Sequence, residues 1–85
     1  MLKSGGFSFG NDMARIYLDD YVVEYSLSQQ SFNVLTLREM LKKNAHLILE
    51  RKQSSDYNVI GVAKTREEAD SIMDYFQKQL EDNAL

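Results

Sequence analysis

The sequence of 85 residues contains no cysteine, no proline and no tryptophan. The absence of cysteine excludes disulfide bonds, thiolate catalysis and cysteine metal ligands, so stability must come from packing or from oligomerisation. No apolar run approaches the roughly 18 residues that cross a membrane, and we expect no membrane association. The N-terminal residues lack the continuous apolar segment of a secretory signal, which favours a cytoplasmic location by default.

Residues that commonly perform catalysis are also scarce. Histidine occurs once, as His46, and a general base there needs a neighbouring nucleophile or carboxylate that the sequence does not supply. The adjacent Asp19 and Asp20 point to opposite faces of an extended chain, which favours a role in a turn. We therefore predict no catalytic residue, no metal ligand and no cofactor, and we expect neither enzyme activity nor a small-molecule substrate.

The stretch DYNVIGVAKTREE, residues 56–68, raises the question of a calcium site. It matches the calcium-loop pattern at four positions, which are Asp56, Asn58, Gly61 and Glu67. Calcium also needs oxygen at the fifth position, and Ile60 occupies it. The apolar residues around Ile60 fit a buried strand instead, and Thr65 with Glu68 predicts the capped start of a helix.

The glycines divide the chain into an arm and one domain. Three of the four glycines fall within the first ten residues, where they surround Phe7 and Phe9. Dense glycine resists regular structure, so residues 1–13 are predicted to be an N-terminal arm. Residues 14–85 have the length of a single domain.

The patterning of residues 14–85 predicts an α+β fold with a four-stranded antiparallel sheet. The segment ARIYLDDYVVEYSL supplies either two strands joined at Asp19-Asp20 or one long strand bent there, and HLILERK and YNVIGVAK form a pair across the turn QSSD. Thr36 and Glu39 predict the capping box of a first helix that ends at Asn44. The apolar spacing from Ala69 to Leu80 predicts a second, amphipathic helix. EYSLSQQSFNV resembles ERKQSSDYNV, which indicates a ββα-ββα repeat with both helices on one face of the sheet.

Apolar residues occur on both faces of this predicted sheet, as in Val22-Val23 and Val59-Ile60. Antiparallel sheets with one solvated face normally alternate apolar and polar residues. Two helices on one face would leave the other face open. We expect a second copy of the chain to cover it, giving a homodimer, with another protein or the arm as the alternatives.

These features favour a small non-enzymatic regulatory or inhibitor-type protein that acts through protein–protein binding. Compact acidic domains of this size occur among regulators from phages and other mobile elements, and this chain has a net charge of −3. Residues 66–85 carry two cations against six anions. The predicted partner-binding residues are three tyrosines that share one face of the first strand and two carboxylates of the acidic helix, namely Tyr17, Tyr21, Tyr25, Asp70 and Asp74.

The alternative function is a small nucleic-acid-binding module. Residues 38–52 carry five cations against two anions, and the tyrosines could stack on bases. The predicted nucleic-acid-binding residues are Arg38, Lys42, Lys43, Arg51 and Lys52. The acidic net charge makes this function less favoured, because phosphate binding draws on positive surface.

The stretch NVIGVAKTREEADSIMDYF, residues 58–76, resembles the last strand and helix of AP2-type DNA-binding modules, which also occur at the arms of phage integrases. The resemblance implies a strand that leads directly into a helix. In those modules a three-stranded sheet reads DNA through basic and aromatic residues. The sheet predicted here is not basic and has no tryptophan, so no functional residue is carried over from that family.

Overall fold

The computed structural model describes residues 15–83 of the chain. Its elements follow one another as β1 (Tyr21–Ser26), β2 (Ser31–Thr36), α1 (Leu37–Arg51), β3 (Tyr57–Ala63) and α2 (Arg66–Asn83). The fold is α+β, and β1 lies at the centre of an antiparallel sheet with the order β2-β1-β3. No helix within residues 15–83 is long and apolar enough to span a membrane. The predicted arm lies outside the described residues.

The prediction of a four-stranded sheet built from a ββα-ββα repeat is wrong. Residues 46–51, predicted to begin a strand, form the second half of α1. Leucine, glutamate and arginine are strong helix formers, and no glycine or proline interrupts the segment. Asn44, predicted to end the helix, lies inside it, and α1 ends at Lys52 with a left-handed φ of 56°.

The predicted start of α1 is confirmed as a capping box. The Thr36 hydroxyl accepts a hydrogen bond from the Glu39 backbone N–H at 3.1 Å, and the Glu39 carboxylate accepts one from the Thr36 N–H at 2.9 Å. Hydrogen bonds from Thr36 lower the pKa of Glu39, and the bond from the backbone N–H has a larger effect than the bond from the hydroxyl. Two further N–H groups of the first turn donate to the backbone carbonyls of Asp20 and Leu18, which lie in the segment before β1. Satisfied N–H groups fix where α1 begins.

Residues 56–68 form a strand and a capped helix, as the apolar pattern predicts. β3 is followed after two residues by α2, whose Glu68 N–H donates to the Thr65 hydroxyl at 3.1 Å. The Glu68 carboxylate accepts from the backbone N–H groups of Thr65 and Lys64. Asp56 faces the turn after β1, where it accepts a hydrogen bond from Ser26.

The two helices cover opposite faces of the sheet, so their predicted placement on one face is also wrong. Val23 of β1 pairs with Gly61 of β3, and a Cβ built on Gly61 would lie 2.8 Å from Ile72 of α2. Glu24, the next residue of β1, points to the other face, where it contacts Lys43 of α1. Apolar residues on both faces of the sheet are therefore explained by one helix on each side.

The buried core lies between the sheet and α2. Its fully buried members are Val23, Ala63 and Ala69. Half-buried side chains from the sheet and from α2 complete it, namely Tyr21, Phe32, Val34, Ile60, Ile72 and Met73. The other face, under α1, is more polar, because the buried residues that β1 places there are Val22, Glu24 and Ser26, and two of these three are polar.

Candidate functional site

None of the residues of helix α1 is fully buried. It packs on β1 and β2. The side chains that face the sheet recur at helical spacing and are only half-buried, namely Leu37, Met40, Asn44 and Leu47. α1 does not extend over β3, so Val59 and Val62 on the same sheet face stay 47% and 39% exposed.

One flank of α1 carries apolar side chains that point to solvent. Leu41, Ala45, Ile48 and Leu49 recur at i, i+4, i+7 and i+8, which places them on one side of the helix. Leu41 is 48% exposed, Ile48 56% and Leu49 69%. We call these four residues, with the flanking Arg38 and Lys42, the α1 stripe. Neighbouring exposed apolar side chains on one helix are typical of an interaction surface.

The charges of α1 are sorted between its two flanks. Arg38 and Lys42 lie four residues apart on the side of the stripe, and both are exposed. Glu39 and Glu50 share the opposite flank with His46, whose Nδ1 lies 3.2 Å from the Glu50 carboxylate. Lys42 therefore brings an exposed positive charge to the apolar residues of the α1 stripe, Arg38 beside it is paired with Asp19, and both carboxylates of the helix lie away from the stripe.

Lys43 points from α1 toward the sheet and neutralises a buried carboxylate. Its ammonium group contacts Glu24, whose side chain is 1% exposed. The same Glu24 oxygen accepts a hydrogen bond from the Asn33 amide at 3.0 Å. The Lys43 ammonium also lies 5.1 Å from the centre of the Tyr57 ring, and the Tyr57 hydroxyl is 2.9 Å from that of Ser31. These polar contacts connect α1 to all three strands.

An open cleft of about 350 Å³ lies beside this network. Lys43 and Leu47 of α1 form one side, and the segment from Gln53 to Tyr57 forms the other. The cation is already paired with Glu24, which leaves the cleft without a free charge for an anionic ligand. Within residues 15–83, no three histidine or acidic side chains converge on a position that could hold a metal ion.

Asp56, at the rim of the cleft, fastens the turn between β1 and β2. Its carboxylate accepts hydrogen bonds from the hydroxyls of Ser28 and Ser26, the latter at 2.7 Å. These two bonds, with the larger contribution from Ser28, hold the pKa of Asp56 below its usual value. Asp56 thus has a structural role, in which its Oδ2 accepts from both hydroxyls of the turn.

Asp20 performs a similar task at the start of the sheet. Its carboxylate lies 2.6 Å from the Lys64 ammonium and accepts a hydrogen bond from the Tyr17 N–H at 2.8 Å. The hydrogen bonds with Lys64 and Tyr17 lower the pKa of Asp20, and the bond with Lys64 has the larger effect. Asp19 instead faces solvent and pairs with Arg38 at 3.3 Å. The two aspartates therefore have separate roles in a turn, as the sequence indicates.

The predicted partner-binding residues do not share one surface. Tyr17 precedes β1 and lies under the Lys64 ammonium, 4.7 Å from its ring centre. Tyr21 packs against the core, and Tyr25 stacks on Phe32 with ring centres 4.8 Å apart. On α2, Asp70 pairs with Arg66 at 3.2 Å, and Asp74 is exposed. Tyr21 and Tyr25 thus pack within the domain.

The predicted nucleic-acid-binding residues are also separated. Arg38 and Lys42 belong to the α1 stripe, whereas Lys43 faces the sheet and pairs with Glu24. Arg51 and Lys52 are exposed at the C-terminal end of α1, and the Lys52 ammonium donates to the Leu49 carbonyl at 3.0 Å. Four of the five cations thus remain on the outer side or end of α1.

Sequence reasoning missed the α1 stripe because it assigned residues 46–52 to a strand. The missed signal is the continuation of helical spacing from Leu37 and Leu41 through Asn44 to Ile48, across the assumed stop. Comparison of the chain with protein-family models, with curated proteins and with solved structures finds no match.

Proposed function

We propose that this chain is a small non-enzymatic regulatory or inhibitor-type protein that acts through protein–protein binding, with the α1 stripe as its contact surface. The observation that carries the proposal is the exposure of Leu41, Ile48 and Leu49 on one flank of α1. The buried core lies between the sheet and α2, and none of these three side chains belongs to it.

The size of the stripe sets the expected strength of binding. Full burial of a leucine or isoleucine contributes about 1.5–3 kcal/mol, so three side chains that are half to two-thirds exposed contribute roughly 3–5 kcal/mol. A matching apolar surface on the partner adds a similar amount. Association costs at least ~4 kcal/mol, so the apolar contacts alone support an affinity weaker than micromolar, for which ~8 kcal/mol is required. Complementary charge at Arg38 and Lys42 would strengthen it.

A homodimer through the same stripe is the self-associating form of this proposal. A two-fold axis across α1 would place Arg38 and Lys42 of one copy near the cations of the other. Salt screens such like-charge repulsion, so this dimer should strengthen as the salt concentration rises. Sedimentation equilibrium of the full chain, with a monomer mass of 9.8 kDa, measures this directly at low and high salt.

Selection of peptides by phage display tests the role of the stripe without assuming a partner. A library that contains helical and extended peptides is selected on the immobilised chain, and the enriched clones are tested on a Leu41→Gln, Ile48→Gln variant. We expect the clones to lose at least about tenfold in affinity, since burial of the two side chains contributes roughly 2–3 kcal/mol.

The matched control is a Val59→Gln, Val62→Gln variant, which removes exposed apolar side chains from the sheet instead. It should bind the same clones as the wild-type chain does. Clones that bind the stripe variant and the wild type equally well would show that the contact surface lies elsewhere. Circular dichroism of both variants verifies that the fold is retained.

Nucleic-acid binding is the second candidate function, because Arg38, Lys42, Arg51 and Lys52 lie on the outer side or end of one helix. It predicts an affinity for duplex DNA or RNA that falls steeply with salt. The variant to use is Lys42→Glu with Lys52→Glu, since Lys43 is required by the buried Glu24. An unchanged affinity in that variant would eliminate this candidate.

A further inference from the structure

We propose that the α1 stripe binds an acidic amphipathic α-helix of a different protein, laid along α1. This inference rests on the proposed function and adds the chemistry of the partner. Three features of the molecule favour such a partner: the shape of the stripe, the distribution of charge around it and the surfaces that this chain offers to a second copy of itself.

The stripe is narrow and follows the axis of a single helix. Its apolar side chains run from Leu41 to Leu49, and Arg38 and Lys52 lie beyond its two ends. At 1.5 Å per residue the apolar side chains span roughly 12 Å and the stretch from Arg38 to Lys52 roughly 20 Å, which matches a partner helix of about 14 residues. A helix that presents apolar residues at i, i+3, i+4 and i+7 would cover the stripe along its length.

Charge around the stripe selects the sign of the partner. Arg38 and Lys42 border the apolar residues directly, Arg38 in an exposed ion pair with Asp19, and Arg51 and Lys52 lie at the C-terminal end of α1. The carboxylates of α1 lie on the flank that carries His46. A partner helix with glutamate or aspartate beside its apolar residues would meet cations along one side and at the C-terminal end of the contact, whereas a basic helix would be repelled.

A second copy of this chain does not provide such a helix. α2 is acidic, but its apolar residues Ile72, Met73 and Phe76 are packed toward its own sheet or half-buried. Its exposed surface is formed largely by charged and polar side chains, and only Tyr75 within residues 66–83 is a large exposed apolar side chain, so this surface would give Leu41 and Ile48 few apolar contacts. A second α1 has the apolar residues but carries the same positive charge. A helix from another protein avoids both problems.

Binding of synthetic peptides to the full chain, measured by fluorescence anisotropy, tests this inference. The first peptide is a helix of about 16 residues with leucines at i, i+3, i+4 and i+7 and flanking glutamates. The second keeps the leucines and replaces each glutamate with lysine. The third has the composition of the first in a scrambled order that destroys the apolar face. We expect the first to bind at least about tenfold more tightly than the others at low salt.

Charge reversal on the protein provides the decisive control. An Arg38→Glu, Lys42→Glu variant should prefer the lysine peptide over the glutamate peptide, which a general loss of structure cannot produce. An Arg66→Glu, Lys78→Glu variant makes the same change of charge on α2 and should retain the preference for the glutamate peptide. Equal binding of the glutamate and lysine peptides, or no binding of either, would overturn the inference.

Failure of this inference is distinguishable from failure of the proposed function. Phage clones that depend on Leu41 and Ile48 but carry basic or extended peptides would leave the proposed function standing and overturn the acidic helix. Clones that are insensitive to both residues would overturn the two together. Binding of the scrambled acidic peptide as tightly as the first would show attraction by charge alone, and this too would overturn the inference.

Discussion

The Lys43 ammonium group contacts the Glu24 carboxylate underneath α1, and Glu24 is almost completely removed from solvent. A buried carboxylate that loses its cation is costly, because neither water nor another charge replaces the partner. Asn33 donates one hydrogen bond to Glu24 but supplies no charge. This ion pair is therefore the contact that fixes α1 on its face of the sheet.

The first prediction concerns the loss of that cation. Lys43→Met should lower the free energy of unfolding by about 1–3 kcal/mol, because it leaves Glu24 buried and without its ionic partner. Urea denaturation followed by circular dichroism measures the change. Lys42→Met, one residue away and exposed, should change stability by less than about 0.5 kcal/mol. Equal effects of the two substitutions would contradict the role given to Lys43.

The second prediction concerns the close approach of α2 to the sheet at Gly61. A Cβ at this position would lie 2.8 Å from Cγ2 and 3.1 Å from Cδ1 of Ile72. Gly61→Ala should therefore destabilise the fold by roughly 1–3 kcal/mol through overpacking. Ile72→Ala removes both atoms, so the double variant should lose less stability than the sum of the losses in the two single variants. Strict additivity in urea denaturation would show that the two residues do not collide.

The third prediction concerns acid. The hydrogen bonds from Ser28 and Ser26 hold the pKa of Asp56 below its ordinary value of 3.8. Because the pKa is lower in the folded state, the ionised Asp56 stabilises the fold at pH values above its ordinary pKa. This stabilisation is lost as the pH falls through the lowered pKa. Asp56→Asn should therefore be less stable than the wild type at neutral pH, with a smaller loss of stability on acidification.

Urea denaturation at neutral pH and at several values below about pH 4 measures this difference. Asp74→Asn, on the exposed side of α2, makes the same change of charge and serves as the control. It should leave the pH dependence close to that of the wild type. An Asp56→Asn variant with the wild-type pH dependence would rule out the contribution of the serine hydroxyls.

The fourth prediction concerns Asn44 inside α1. Its Oδ1 is buried, and the described part of the chain offers it no hydrogen-bond partner. Asn44→Ala removes this unpaired oxygen and replaces a weak helix former with the strongest one, so the fold should gain about 1–2 kcal/mol. Asn58→Ala, at an exposed position of β3, should give no such gain. A loss of thermal stability in Asn44→Ala would contradict this account.

The comparison of sequence and structure shows where local patterns suffice. The Thr-x-x-Glu boxes at Thr36 and Thr65 specify the starts of both helices, because the hydrogen bonds involved are made within four residues. The spacing from Ala69 to Leu80 likewise identifies α2. These signals depend only on neighbouring residues, so they can be recognised without knowledge of the tertiary fold.

The end of α1 could not be located in the same way. Asn44 is a good left-handed residue and HLILERK is rich in apolar residues, so a strand after Asn44 was the reasonable expectation. The observed end, at Lys52, is a residue type without a preference for positive φ. Assigning this segment to a strand adds a fourth strand to the predicted sheet, hides the apolar flank of α1 and places both helices on the same face.

The position of the helices on opposite faces has an electrical consequence. The α1 layer carries four cations against two anions, and the α2 layer carries two cations against six anions. The sheet thus separates a positively charged helix from a negatively charged one. This separation gives the described part of the chain an electric dipole moment that points across the sheet. A negatively charged body diffusing nearby would turn the protein so that α1 leads, and this orientation would accelerate encounter at low ionic strength.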